Sequence, residues 1–276
     1  MKRTSRWLMI ALTMSLAVSV TSTPTAASAQ TPVNLATWQA QSYPAVSGFG
    51  AGNWIVAPDG NSVRQSVNGQ PTMFASDFMA QGTEVNGKIR VNSANDDDYI
   101  GFALGYNIGD ISNPAANYLL VDWKAQTQFY NFGTPSSTPG SNAPRGLAVS
   151  RVTGMPTADE FWGHVDFDTH TDGGLEELAR GLTLGSTGWT VGTTYSFRFV
   201  FLPNLLQVFV DDVMQMSVNG AFSNGSMAFY NFSQADVTYS AFTVRQVSTV
   251  PEPSTVVLLA MGLLATVFVA RRRRVS

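Results

Sequence analysis

The feature that most constrains this fold is a series of short runs in which apolar and polar residues alternate. Between residues 195 and 201, an aromatic side chain occupies every second position. Because successive side chains of a β-strand point to opposite faces, these rings share one face of a half-buried strand. Similar runs, rich in Val, Ile, Phe, Tyr and Thr, recur along the chain between Gly, Asn, Pro and Ser. They predict strands over Asn53–Ala57, Thr83–Val91, Tyr99–Tyr106, Tyr118–Lys124, Gly146–Val152, Tyr195–Leu202, Leu205–Val210, Met227–Asn231 and Thr238–Gln246.

The order of these runs predicts an all-β fold. Pro203-Asn204 and Asp211-Asp212 each separate two runs and are typical of tight hairpin turns. Leu175–Leu182 is expected to be a short helix, and residues 131–146, crowded with Pro, Ser and Gly, a flexible loop. Many short strands with few helices indicate an antiparallel two-sheet jelly-roll sandwich.

The N-terminal segment has the three parts of a secretory signal peptide. Basic residues occur at positions 2, 3 and 6, an apolar run covers Trp7–Val20, and Ala27-Ser28-Ala29 supplies small residues at the predicted cleavage site. We therefore predict that residues 1–29 direct export and are removed after Ala29. The mature domain is then expected to cover residues 30–249.

The C-terminal segment predicts a single membrane-spanning helix. Thr255–Ala270 carries no charge, and Arg271–Arg274 follows at once. Sixteen residues at about 1.5 Å each span about 24 Å, slightly short of the roughly 30 Å of a bilayer core. The arginines are expected to stay on the cytoplasmic side. The motif Val250-Pro251-Glu252-Pro253 precedes this helix.

These C-terminal features together resemble the PEP-CTERM sorting signal of exopolysaccharide-producing Gram-negative bacteria. The resemblance implies that an exosortase recognises residues 250–276. It further implies that the helix is a temporary inner-membrane anchor and that the processed protein goes to the cell surface or extracellular matrix.

The charge of the mature region limits the class of partner. Residues 1–29 and 251–276 contain seven of the 16 basic and one of the 19 acidic residues, which leaves 18 acids against 9 bases and a formal charge of −9. An acidic domain argues against nucleic-acid binding and suits cations or neutral sugars. The chain has no cysteine, which excludes disulfides, cysteine-ligated zinc and a cysteine nucleophile.

The motifs of the mature region occur in a recognisable order. "GNWIV" at 52–56 precedes "DDDYIGFALGY" at 96–106, "NYLLVDWKAQTQ" at 117–128 and "EFWGH" at 160–164. This series, over most of residues 36–246, resembles the C-terminal domain of thrombospondins. The resemblance implies a concanavalin- or L-type lectin-like jelly roll that binds calcium, serves surface or matrix adhesion, and has no catalytic activity. The stretch before "NW" lacks the family's usual aspartates, which leaves the number of calcium ions open.

Asp96, Asp97 and Asp98 form the strongest candidate cation site. Calcium prefers six to eight oxygen ligands, and clustered aspartates at a turn supply several of them. On an extended backbone only Asp96 and Asp98 share a side, so one or two of the three are expected to bind Ca²⁺. The alternative is an exposed acidic turn whose repulsion is screened by water and salt.

A second, weaker candidate site lies at residues 164–170, "HVDFDTH". In an extended strand, His164, Asp166, Asp168 and His170 point to one side, where they suit zinc or another transition metal, or acid–base chemistry. The alternative is a polar strand end.

An enzyme acting on polysaccharide, either a glycoside hydrolase or a lyase, is the alternative to a non-catalytic adhesion domain. The chain lacks a Glu-x-Asp-x-x-Glu strand and a Gly-x-Ser-x-Gly motif. No catalytic residue is therefore predicted. The expected partners are an exosortase, exopolysaccharide or matrix, and the membrane.

Overall fold

The computed structural model describes residues 28–167 and 173–247, together with Met261, Gly262 and Leu264. By its contacts the chain divides into one compact unit, Ser28–Ser248, and a second unit made of Met1–Ala27 and Thr249–Ser276. Most of the predicted signal peptide and sorting segment therefore lies outside the described residues. Within the described part of the chain, no helix is long and apolar enough to cross a membrane.

Short antiparallel strands are the main secondary structure of the described domain. One α-helix, α1, covers Ala158–Gly163, and 3₁₀ turns cover Leu35–Thr37 and Asp110–Ser112. The strands are β1 Thr31–Pro32, β2 Gln39–Ser42, β3 Trp54–Val56, β4 Ser62–Gln65, β5 Thr72–Met79, β6 Thr83–Val91, β7 Tyr99–Tyr106, β8 Asn117–Lys124, β9 Gln128–Tyr130, β10 Ser141–Ala143, β11 Gly146–Thr153, β12 Leu175–Arg180, β13 Thr194–Leu202, β14 Leu205–Val210, β15 Val213–Asn219, β16 Ser226–Phe232 and β17 Val237–Gln246.

Two large sheets pack against each other, as the sequence predicts. The first has the order β15-β14-β13-β6-β17-β4-β3, with β1 added beside β17, and the second has the order β12-β11-β8-β7-β16-β5-β2. A separate two-stranded ribbon joins β9 and β10. The all-β, antiparallel two-sheet prediction is confirmed.

Aromatic rings fill the space between the two sheets. The Phe229 ring of β16 stacks on the Tyr239 ring of β17 with centroids 4.5 Å apart, and the Phe102 ring of β7 meets the Phe199 ring of β13 at 4.9 Å. In β13 the alternation holds, because Phe197, Phe199 and Phe201 are buried in this core while Tyr195 packs against its edge. Such aromatic pairs contribute about 0.5–1.5 kcal/mol each beyond the area that they bury.

The outer face of the second sheet is also buried, because a covering segment, residues 128–145 and 154–167 on either side of β11, lies over it. Tyr99 of β7 and Tyr230 of β16 pack there against Phe161 and Trp162 of α1. The helix begins with a capping box, in which the Thr157 hydroxyl accepts from the Glu160 N–H and the Glu160 carboxylate accepts from the Thr157 N–H. This second apolar cluster explains why β7 is buried along its whole length.

Two sequence predictions are wrong. Leu175–Leu182 was expected to be helical, but Leu175–Arg180 forms β12 and pairs antiparallel with β11. The open edge of β11 supplies hydrogen bonds that outweigh the helical preference of this short segment. Residues 131–146 were expected to form only a loop, yet they include the whole of β10, which pairs with β9.

Candidate functional site

The acidic turn, Asp96–Asp98, lies in the connection between β6 and β7. Its backbone is not part of either strand, so the rule that neighbouring side chains point to opposite faces does not apply. One oxygen from each of the three carboxylates comes within 4.8 Å of the other two. Asp98 is buried and the other two are half-buried. Carboxylate oxygens of all three aspartates therefore lie close together at this turn.

The acidic turn is closed on one side by Lys124, a residue that the sequence analysis did not identify as part of the site. Its ammonium lies at the end of β8 with no exposed surface, and it donates to Asp98 Oδ1 and, at 3.3 Å, to Asp97 Oδ1. The same nitrogen lies 4.4 Å from the centre of the Trp162 ring. Lys124 thus joins the acidic turn to the covering segment.

Burial and the neighbouring Asp96 raise the pKa of Asp98 to about 7, although Lys124 acts in the opposite direction. The Asp96 carboxylate is itself held by two donors, the Asn68 side-chain amide and the Asp97 N–H. Two carboxyl groups in contact share either a proton or a cation, because two uncompensated negative charges repel each other. The turn offers three carboxylates to a single ammonium, and this donor set fits an oxygen-binding cation.

A second group of charges surrounds His164, in which His164 and Asp122 are buried while Glu177 and Arg180 are partly exposed. His164 Nε2 lies 2.9 Å from Asp122 Oδ2, and its Nδ1 lies 3.3 Å from Glu177 Oε2. Glu177 also accepts from Arg180 Nη2 at 2.7 Å. Burial alone lowers the pKa of His164, but Asp122 and Glu177 outweigh it and raise this pKa to about 9. The imidazolium therefore links α1 to β8 and β12 at neutral pH.

The extended backbone that would align the side chains of residues 164–170 is not present at the start of this segment. His164 ends α1 in the left-handed conformation, with φ of 53°, and residues 165–167 are not in a strand. Its ring nitrogens face the carboxylates of the buried Asp122 and the partly exposed Glu177, and the sequence predicted neither of these as a site residue. Asp168 and His170 lie outside the described residues. Over the ranges that the structure describes, Asp96–Asp98 is the only group of three or more histidine, cysteine, aspartate or glutamate side chains that lie close enough together to hold one ion.

The antiparallel two-sheet arrangement places the described domain in the class of jelly-roll sandwiches. Within that class, the family model of the thrombospondin C-terminal region matches residues 50–247, and the chain belongs to that family. A second model, the PEP-CTERM protein-sorting motif, matches residues 249–274. That motif implies export, processing by an exosortase and sorting to the cell surface of a Gram-negative bacterium.

Thrombospondin-3 of Mus musculus is one of the similar curated proteins. It is 25% identical over 209 residues, which are 72% of this chain and 21% of the relative. The chain thus spans about a fifth of the length of this relative.

Two solved structures from Bacillus subtilis are among those to which this chain is similar. The carbohydrate-binding module CBM66 aligns with a TM-score of 0.47 at 12% identity over 71% of this chain and 92% of its own. A protein of unknown function with a galectin-like fold aligns with a TM-score of 0.48 at 9% identity over 79% of this chain and 94% of its own.

Proposed function

We propose that this protein is an exported adhesion protein that binds exopolysaccharide or matrix without cleaving it. The observation that carries the proposal is the arrangement of the chain, in which a thrombospondin C-terminal domain at 50–247 is followed directly by a sorting motif at 249–274. A sorting motif delivers its domain to the surface, where the available polymer is the polysaccharide coat. The domain then retains the protein in that coat.

The route to the surface has two processing steps in this proposal. The signal peptide is removed after Ala29, and Thr255–Ala270 then holds the protein in the inner membrane while Arg271–Arg274 stays in the cytoplasm. The exosortase removes this anchor. Detection of the arginine tail on surface-located protein would contradict this step.

Calcium is proposed as the cation of the acidic turn. Asp96, Asp97 and Asp98 supply the carboxylate oxygens, while Lys124 neutralises part of their charge from the buried side. The role of the ion is structural, since it would fix the connection between β6 and β7 against the covering segment. Carbonyl and water oxygens would complete its coordination.

The non-catalytic proposal rests on how the acidic and imidazole groups are used. His164 and Asp122 are buried in a mutual ion pair, and Asp98 is engaged by Lys124. A general acid or base must reach a substrate proton at about 2.6–3.2 Å, and groups closed under the covering segment do not meet this requirement. The alternative, an enzyme acting on polysaccharide, finds no support in these residues.

Co-sedimentation with purified exopolysaccharide tests the proposal. We expect the protein to sediment with the polymer in the presence of Ca²⁺, and the size distribution and reducing ends of the polymer to stay unchanged. New reducing ends or unsaturated sugars would favour the enzyme alternative. Failure to sediment with any exopolysaccharide or matrix fraction would contradict the adhesion proposal.

A further inference from the structure

The strands of the first sheet carry more than half of the basic residues of the mature region. They hold five of its nine bases but only one of its 18 acids. Their formal charge is therefore +4, whereas the mature region as a whole carries −9. The five bases are Arg64 of β4, Lys88 and Arg90 of β6, Arg198 of β13 and Arg245 of β17. An acidic domain thus contains one basic sheet, which its net charge does not reveal.

All five basic side chains lie on the outer face of this sheet. Their neighbours along the strands, such as Ile89 and Phe199, are buried between the two sheets, and successive side chains of a strand point to opposite faces. Strand pairing places Arg64 and Arg90 on either side of Thr238. The five bases, which we call the basic face, occupy the neighbouring strands β4, β17, β6 and β13. At roughly 4.8 Å between strands, the basic face is about 14 Å wide.

Carboxylates neutralise only part of the basic face. Glu84 Oε2 lies 2.7 Å from Arg245 Nη2 and 3.9 Å from Arg198 Nη1, so two guanidinium groups share one carboxylate. Asp236 Oδ1 lies 2.6 Å from Arg64 Nε. These two carboxylates face three guanidinium groups, and the basic face therefore keeps a net positive charge.

The other two cations, Lys88 and Arg90, are exposed and form no ion pair with any residue that the structure describes. They lie two positions apart on one face of β6, at about 7 Å, where like charges repel each other. The residues opposite them in β13 and β17 are all uncharged: Thr194, Ser196, Thr238 and Ser240. These positions therefore leave both cations available to an external anion.

Lys88 and Arg198 also line a cavity of about 150 Å³ in this face. At the cavity β17 has a bulge, in which Ala241 takes a φ of 56° that residues with a side chain rarely adopt. Such bulges are common beside binding sites. The Arg198 guanidinium lies 3.4 Å from the centre of the Phe209 ring, which orients it before a ligand arrives. The Asp212 carboxylate lines the same cavity and can accept from hydroxyl groups.

We propose that the basic face binds an acidic polysaccharide, whose carboxylate or sulfate groups pair with Lys88, Arg90 and Arg198. The inference rests on the proposed function, since it names the class of polymer that the domain recognises. Anionic groups repeated along a polymer match cations spread over several strands, and sugar hydroxyls match the serines and threonines between them. The acidic surface outside this face repels a stiff, densely charged nucleic-acid duplex.

Lys88→Gln/Arg90→Gln removes the two unpaired cations and keeps polar side chains in their place. Because both residues are exposed, we expect the melting temperature of the protein to stay unchanged. The matched control is Arg145→Gln/Arg151→Gln, which changes the net charge by the same amount but alters two bases at β11 of the second sheet. Any effect of net charge alone appears equally in both double variants.

Dextran, carboxymethyl dextran and dextran sulfate of equal length share one backbone and differ in charge. Calorimetry with these probes, in Ca²⁺ and at two salt concentrations, measures the binding. We expect an acidic dextran to bind and unmodified dextran not to bind, and the affinity to fall as salt screens the charges. The Lys88→Gln/Arg90→Gln variant is expected to bind about tenfold more weakly, as loss of one hydrogen bond to a charged group predicts, whereas the control keeps the wild-type affinity.

Several results would overturn the assignment of the basic face. They are equal binding of dextran and its acidic forms, no binding of either acidic form, unchanged affinity in Lys88→Gln/Arg90→Gln, and an equal loss in the control. Unchanged affinity in that variant would also be the result if Ca²⁺ at the acidic turn bridged to the polymer. Tighter binding of duplex DNA or of phosphatidylglycerol vesicles than of either acidic dextran would assign the face to another partner.

The outcomes separate the basic face from the proposed function. If Lys88→Gln/Arg90→Gln sediments with exopolysaccharide as the wild type does, the adhesion function stands and the basic face is not its site. If the wild-type protein sediments with no polymer fraction, the adhesion function itself fails. The comparison of the three dextrans needs only wild-type protein, so it decides the assignment even where a variant does not fold.

Discussion

Raising the pH is expected to remove the stabilisation that His164 provides. The folded-state pKa of His164 is about 9, against about 6.5 for an unperturbed histidine. Because its pKa is raised in the folded state, the protonated imidazole of His164 stabilises the fold fully below about pH 6.5. This stabilisation is lost as the pH rises through 9 and the imidazole loses its proton. A difference of about 2.5 units corresponds to roughly 3 kcal/mol at 1.36 kcal/mol per unit.

Urea unfolding between pH 6 and pH 9.5 measures this effect. We expect the free energy of unfolding to fall by roughly 3 kcal/mol across this range in the wild type, and the fall to disappear in His164→Gln. At pH 6 the variant is expected to be less stable by about 3–5 kcal/mol, because Asp122 keeps a buried charge without its partner.

The second histidine of the chain gives a matched control for this experiment. His170→Gln removes the only other imidazole and is expected to keep the wild-type pH dependence. A wild type and a His164→Gln variant with the same pH dependence would refute the reasoning. If the pH dependence disappears in His170→Gln instead, then His170 and not His164 is the group that titrates, and the account is wrong.

Three further perturbations test the acidic turn and the core. Chelation by EGTA is expected to lower the melting temperature of the wild type but not of Asp96→Asn/Asp98→Asn, and equal melting with Ca²⁺ and EGTA would contradict the calcium proposal. Lys124→Met is expected to cost about 3–5 kcal/mol in urea unfolding, because it leaves the carboxylate of the buried Asp98 without its cation, and added Ca²⁺ should restore part of this loss. Phe229→Ala is expected to cost about 3–5 kcal/mol by opening the core, against at most about 0.5 kcal/mol for Phe129→Ala, whose side chain is 58% exposed; similar losses would refute this packing.

The strands that sequence predicts best are those that turn residues bound at both ends. β6, β7 and β14 begin and end at the predicted residues, because turn residues bound each run sharply. β5 was missed, since its first five residues are all buried and give no clean alternation. The helix α1 was also missed, although Thr157 and Glu160 form a capping box that the sequence displays.

The acidic turn and its counter-charge differ in how far sequence predicts them. Asp96–Asp98 is visible as a local cluster, and its carboxylates do converge. Lys124 belongs to the same site but lies at the end of another strand, and only the pairing of β7 with β8 brings it there. His164 likewise meets Asp122 and Glu177 through tertiary packing, which local periodicity does not encode.

The most direct test of the central claim is the location of the protein in cells. The full chain is expressed in a Gram-negative host that has an exosortase, with and without exopolysaccharide synthesis, and surface, medium and membrane fractions are analysed by mass spectrometry. We predict surface-retained protein lacking Arg271–Arg274 in the producing strain, and release of the same processed protein into the medium when the polymer is absent. Equal surface retention in both strains would contradict the claim that the domain holds the protein through exopolysaccharide.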